Sequence, residues 1–130
     1  MRNTIRGVTA AVLLVSAACA SGGSSGAGTD REFLSRDDIE SVEVSDLYEV
    51  VQRLRPRWLN VRGDRSFGLT TSIVVYQGQT RLGGVDVLKQ FGPETAETMR
   101  YMDGPKASST LPGLGSQHVA GAIIIETRKH

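Results

Sequence analysis

Apolar residues follow two periodicities along this chain, and these periodicities predict its helices and strands. Between residues 47 and 54 the apolar positions fall at i, i+3, i+4 and i+7, which is the stripe of an amphipathic helix. Ser45 and Asp46 precede the stripe, and both residue types are favourable at the N-cap. Pro56 ends the helix, because the residue before a proline disfavours the α conformation.

Three shorter helical segments are predicted around this helix. Ser35 is followed three residues later by Asp38 and then by Ile39, which is similar to a capping box at a helix start. Residues 85–91 are typical of a single apolar helical turn. Residues 106–111 follow a proline, which is well suited to the first position of a helix, and they predict a further short helix.

Three segments have the composition of β-strands. They are residues 72–77, 96–102 and 120–128, of which the last is the most apolar. Its isoleucine run predicts burial on both faces of a sheet, and the alternative is that one face or edge docks a partner by strand addition. The order of elements predicts an α+β domain, with short helices packed on a small mixed sheet of about three to four strands.

The N-terminal segment has the pattern of an export signal rather than of a folded element. Arg2 and Arg6 precede an apolar run at residues 8–15, which is too short to span a bilayer. Small residues follow, and then Cys19, the single cysteine of the chain. Residues 1–18 are therefore predicted to be a signal peptide. The position of Cys19 resembles a bacterial lipobox, which implies lipid attachment there; the alternative is an ordinary cleavage site that happens to neighbour a cysteine.

A polar tether is predicted between this leader and the folded domain. Residues 20–29 contain only Gly, Ser, Ala and Thr, a composition typical of a flexible coil. With Cys19 they form a predicted lipid-attachment and tether segment at residues 19–34, and the domain is predicted at residues 35–130. Ala20 follows the cysteine, and this position resembles the sorting signal of bacterial lipoproteins that are held at the outer membrane. The resemblance implies an exported protein whose domain lies in the periplasm or at the surface.

Composition and charge give no reason to expect a nucleic-acid partner, and the cysteine count excludes a disulfide within the chain. Hydrophobic residues make up 39% of the chain and charged residues 22%, as in ordinary soluble domains. Fifteen basic and 14 acidic residues give a formal net charge of +1, which becomes −1 when a leader containing Arg2 and Arg6 is removed. This near-neutral charge gives no reason to expect nucleic acid as a partner. A single cysteine allows no disulfide within the chain.

A cluster of arginines around the only tryptophan is the most conspicuous polar feature. Guanidinium groups beside an aromatic ring are suited to a phosphate, a carboxylate ligand or lipid headgroups. The alternative is a solvated helix end, where cations favour the helix dipole and the tryptophan belongs to the core. The candidate ligand- or partner-binding residues are Arg53, Arg55, Arg57, Trp58, Arg62 and Arg65.

No residue pattern in the chain indicates catalysis, a metal or a cofactor. His118 and His130 are the only imidazoles, and no ligand stands near them at metal-binding spacing. The serines lack the sequence context of a nucleophile elbow, and the glycine pairs fit no nucleotide-binding fingerprint. A small hydrolase that uses a serine near His118 is a remote third class, so the sequence predicts a protein that is not an enzyme.

Several segments resemble one known family. Residues 74–82 (VVYQGQTRL) are similar to the V-x-I/V-D-G-V strand and turn of the plug domain of TonB-dependent receptors. Residues 99–105 (MRYMDGP) are similar to the end of its I-E-R-I-E-V-L-R-G-P segment, and residues 119–127 (VAGAIIIET) to its closing G-G-V-I-N-I-I-T strand. Residues 39–58 are similar to its opening helix. The turn residues of the resemblance are Gly78, Gly104, Pro105 and Gly121.

The resemblance implies a plug-like domain without a barrel. A receptor barrel of about 22 strands has no room in 130 residues. The implied function is that of a non-enzymatic envelope lipoprotein, whose plug-like domain is a binding or adaptor module. Its implied partners are an outer-membrane barrel or transport component and, through the lipid anchor, the membrane. The alternative is a structural envelope protein that self-associates as a homo-oligomer and has no role in transport.

Overall fold

The computed structural model describes residues 31–61 and 72–128. The predicted signal peptide, Cys19, most of the tether, and Arg62, Arg65 and His130 lie outside these residues. The strands are β1 (Phe33–Leu34), β2 (Ser72–Gln77), β3 (Thr80–Gly84), β4 (Ala96–Asp103) and β5 (Val119–Thr127). The helices are α1 (Arg36–Glu40), α2 (Leu47–Leu54) and α3 (Gly104–Thr110), with 3₁₀ turns at Pro56–Leu59, Val85–Gln90 and Pro93–Thr95.

Side-chain caps start the first two helices where the sequence predicts them. At α1 the Ser35 hydroxyl accepts a hydrogen bond from the Asp38 N–H at 3.2 Å, and the Asp38 carboxylate accepts one from the Ser35 N–H at 2.9 Å. This reciprocal pair is the predicted capping box. At α2 the cap is Asp46, whose carboxylate accepts from the Glu49 N–H at 2.9 Å. The alternative cap, Ser45, instead donates its backbone N–H to the Glu49 carboxylate at 3.0 Å.

The strands form one mixed sheet in the order β1-β4-β5-β2-β3. Strands β2 and β5 are parallel, and the other neighbours are antiparallel. The predicted α+β class is confirmed, but the sheet has five strands rather than three to four. The strands missed by the sequence analysis are β1, which has only two residues, and β3, which is Thr-Arg-Leu-Gly-Gly. Neither has a local strand pattern; both are held by pairing to a longer neighbour.

The folded domain begins earlier than the predicted boundary at residue 35. Phe33 and Leu34 lie in the predicted tether, yet they pair with Arg100 and Met99 of β4. Leu34 is fully buried. Burial of this side chain against the sheet explains why these residues belong to the domain, because an apolar side chain of this size gains about 2 kcal/mol on leaving water.

Strand β5 lies in the middle of the sheet and is buried on both faces, as its isoleucine run predicts. Ile123 and Ile125 face a core closed by α1, α2 and the 3₁₀ turns, whereas Ala122 and Ile124 face a second, smaller core under α3. The first core contains Leu34, Ile39, Leu47, Val50, Val51, Trp58, Ile73, Val75, Leu88, Ala96, Met99, Ile123 and Ile125. The second contains Val74, Tyr76, Ala107, Leu114, Ala122 and Ile124.

The capping box makes stability depend on acid pH. Hydrogen bonds from the Ser35 hydroxyl and N–H, and the charge of Arg55, hold the pKa of Asp38 below its ordinary value. A lowered pKa in the folded state adds stability above the pKa of the unfolded state, about 4, and this stability is lost as the pH falls through the pKa of the folded state. We expect Asp38→Asn to be less stable than wild type at pH 7, by about 1 kcal/mol or less since the group is exposed, and this difference in stability to be smaller at pH 3. Urea unfolding at the two pH values measures the free energy of unfolding of both proteins. The same difference between the two proteins at both pH values would contradict the prediction.

Candidate functional site

The end of α2 and the turn after it separate the predicted arginine cluster into residues with different surroundings. Arg53 and Arg57 are exposed, Arg55 is half-buried, and Trp58 is buried. Pro56 begins the 3₁₀ turn Pro56–Leu59 directly after the helix. Arg62 and Arg65 lie outside the described residues.

Trp58 belongs to the first core, as the second interpretation of the cluster expected. Its side chain is 3% exposed, and its ring stacks on Tyr101 with 5.8 Å between centroids and 19° between planes. The indole N–H donates to the backbone carbonyl of Arg31 at 2.9 Å. Trp58 therefore joins the start of the domain to β4 and to the end of α2.

Arg55 is held by backbone carbonyls at the junction of α2 and β1. Its guanidinium donates to the carbonyl of Leu54 at 2.9 Å and to that of Phe33 at 3.5 Å. Its charge also contributes to the lowered pKa of Asp38. These contacts fix the position of the guanidinium, so the first role of Arg55 is to join two elements.

An open cleft of about 510 Å³ lies beside these residues. Of the described residues that line it, three carry guanidinium groups, three supply apolar surface, and none is acidic. Such a wall suits an anionic group attached to an apolar body, because guanidinium binds phosphate and carboxylate with paired hydrogen bonds. The lining residues are Arg31, Leu54, Arg55, Pro56, Arg57 and Trp58.

Arg31 is the lining residue that the sequence analysis missed. It stands more than twenty positions before the cluster. The hydrogen bond from the Trp58 indole to its carbonyl and the pairing of Glu32 and Phe33 with β4 bring it there. Its own position in the sequence carries no signal for this contact. Conversely, Arg53 belongs to the predicted cluster but does not line the cleft.

The turn residues of the resemblance occupy tight joints of the fold. Gly78 has a φ of +58° in the turn between β2 and β3, which is a conformation that favours glycine. A Cβ atom at Gly104 would overlap the carbonyl oxygen of Val119, and one at Gly121 would overlap the Tyr101 phenol. Pro105 stands in the first turn of α3, where no backbone donor is needed. All four positions therefore have structural roles.

Two smaller depressions lie on the α3 side of the sheet. One, of about 320 Å³, has Ser108, Ser116 and His118 in its wall. Within the described residues, His118 forms no hydrogen bond to a serine. The other, of about 200 Å³, lies between Arg100 and Glu126. Neither brings together a nucleophile, a base and a group that orients the base, which is the arrangement that nucleophilic catalysis uses.

Residues 31–61 and 72–128 show neither a metal-binding cluster nor a membrane-spanning helix. They contain no group of three or more His, Cys, Asp or Glu side chains placed to hold a metal ion. They also contain no helix with the length and apolar character needed to cross a bilayer.

Substitution of Trp58 tests its structural role. We expect Trp58→Ala to lower the free energy of unfolding by about 3–5 kcal/mol, and Trp58→Phe by about 1–2 kcal/mol through the lost donor to the Arg31 carbonyl. Arg57→Gln is the control and should stay within about 0.5 kcal/mol of wild type, since its side chain is exposed. Urea unfolding followed by circular dichroism measures all three. A Trp58→Ala protein as stable as the control would show that the ring is not part of the core.

Substitution of Gly104 tests the joint between α3 and β5. The added methyl group of Gly104→Ala meets the Val119 carbonyl, which belongs to the backbone and cannot rotate away. We expect a loss of about 2–3 kcal/mol in unfolding free energy from this overpacking. Gly84→Ala is the matched control, because no atom lies within 4 Å of the added group there. Equal melting temperatures for the two variants would contradict the close approach.

Comparison with known proteins gives no match from which a function of the cleft could be inferred. No family model, no curated protein and no solved structure matches the chain. What is known of the cleft, of the two smaller depressions and of the glycine joints therefore comes from the residues themselves.

Proposed function

We propose that this chain is a non-enzymatic envelope lipoprotein whose small domain acts as a binding or adaptor module at the outer membrane. In this proposal residues 1–18 direct export, and Cys19 carries the lipid. The domain that follows is plug-like and works with an outer-membrane transport component.

The observation that carries the proposal is the arginine-lined cleft. Arg31 and Arg57 are exposed, and neither donates a side-chain hydrogen bond or an ion pair to any residue of 31–61 or 72–128. Arg55, which lines the same cleft, is held by the backbone carbonyls of Leu54 and Phe33. The guanidinium groups of Arg31 and Arg57 share the cleft with the apolar surface of Leu54 and Pro56. Such a combination of exposed cations and apolar surface is suited to recognition of an anionic partner.

The glycine and proline joints support the plug-like part of the proposal. Gly104, Pro105 and Gly121 lie where β4 turns into α3 and where β5 passes Tyr101. These are the positions on which the resemblance depends. A larger residue at Gly104 or Gly121 would prevent a close approach, and Pro105 suits the first turn of α3, which gives a physical reason for a glycine-proline pattern at this spacing.

Crosslinking in cells tests the proposal, and the lysines allow the contact surface to be located. Lys89 lies in the turn that closes the first core, and Lys106 lies in α3 over the second core; both are exposed. An amine-reactive crosslinker on the tagged full chain, followed by mass spectrometry, should capture an outer-membrane barrel or transport component. Lys89→Arg and Lys106→Arg are the controls, since each removes one reactive amine and keeps its charge.

The outcomes separate the proposal from its alternative. A crosslink to the same transport component that disappears in one of the two control variants supports the adaptor role and identifies the layer that contacts the partner. Crosslinks only between copies of the chain would support the self-associating structural protein instead. The mass of the N-terminal peptide from the same purified chain shows whether Cys19 is acylated, and an unmodified cysteine would contradict the lipoprotein part.

A further inference from the structure

The place where the chain enters the domain coincides with the arginine-lined cleft. We propose that this cleft docks on the anionic surface of the bilayer that holds the Cys19 lipid, with Arg31 and Arg57 contacting headgroup phosphates. This inference rests on the proposed function, because the lipid anchor supplies the bilayer. It adds a defined orientation, in which the α2 side of the domain faces the membrane and the α3 side faces away.

A short length of chain separates the anchor from the cleft. Arg31 lines the cleft and stands twelve residues after Cys19. Twelve residues span about 40 Å at full extension, and a Gly/Ser-rich segment of this length has a typical reach of about 20 Å. The cleft is thus attached directly to the tether, which gives the guanidinium groups a high effective concentration at the bilayer surface.

The positive charge at the cleft is only partly compensated by acidic groups. The charge of Arg55 acts on Asp38, whose pKa it helps to lower, so Arg55 is partly compensated. Arg31 and Arg57 have no such acidic neighbour among the described residues that line the cleft. Two exposed guanidinium groups are therefore available to phosphate, and each basic side chain near an anionic surface strengthens binding about five-fold.

The depressions on the other face of the domain differ from the cleft in the residues that line them. The depressions on the α3 side contain Glu126 beside Arg100, or serines and a histidine. Among the described residues, the first depression has a carboxylate in its wall, and the second has no lysine or arginine. Neither wall therefore combines cations with apolar surface in the absence of a carboxylate. The lining of the cleft is therefore complementary to an anionic bilayer surface, and the walls of the two depressions on the α3 side are not.

Vesicle flotation tests this orientation. The full chain carries Cys19→Ser in every sample, so that no acyl group contributes, and the leader is the same throughout. Binding is compared between vesicles that contain phosphatidylglycerol and vesicles of phosphatidylcholine alone. We expect Arg31→Gln with Arg57→Gln to reduce the preference for anionic vesicles about 25-fold, and Arg31→Lys with Arg57→Lys to retain most of it. Circular dichroism confirms that the variants fold.

The matched control removes the same charge elsewhere. Lys106 and Arg128 are both exposed and do not line the cleft. The double variant Lys106→Gln with Arg128→Gln should therefore leave the preference within about two-fold of the parent chain, since neither residue faces the surface. An equal loss in both double variants would show diffuse attraction and would overturn the proposal. Unchanged binding in Arg31→Gln with Arg57→Gln would overturn it as well.

A competition arm distinguishes a bilayer from a soluble phosphate compound. Glycerol phosphate at millimolar concentration should not displace the chain from anionic vesicles, because a soluble ligand lacks the many phosphates of a surface. Displacement would assign the cleft to a soluble ligand and overturn the membrane orientation. The flotation result does not depend on acylation or on a captured protein, so failure of this inference and failure of the proposed function are distinguishable.

Discussion

The double burial of strand β5 is the constraint on which the rest of the structure depends. Ile123 and Ile125 point into one core, and Ala122 and Ile124 into another, so the sheet must be covered on both faces. Helices α1 and α2 cover the larger face, and α3 covers the smaller. Placing α3 over β5 requires the backbone contact at Gly104, which is why a glycine begins that helix.

The cleft is a consequence of how the larger core is closed at its edge. The stack of Trp58 on Tyr101, and the indole hydrogen bond to the Arg31 carbonyl, bring the start of the domain beside the end of α2. Tyr101 in turn lies over Gly121, where a side chain would displace it. An aromatic contact needed for stability therefore positions the exposed arginines, and this links the packing of the core to the proposed binding surface.

Local patterns were sufficient to predict those elements that have local causes. The capping box of α1, the apolar stripe of α2, and strands β2, β4 and β5 agree with the structure within a few residues because propensity and periodicity act over short distances. Strands β1 and β3 could not be predicted, since pairing with distant segments creates them. The same reason explains Arg31: no local signal shows that the carbonyl of a residue at the end of a polar segment will accept a hydrogen bond from Trp58.

Hydrogen exchange on the acylated full chain in anionic vesicles tests the central claim most directly. If the arginine-lined cleft faces the bilayer, amides of the Pro56–Leu59 turn and of the residues just before it should exchange more slowly in vesicles than in detergent. Amides of α3, on the opposite layer, should exchange at the same rate in both. Slower exchange confined to α3, or no change in either segment, would contradict the account.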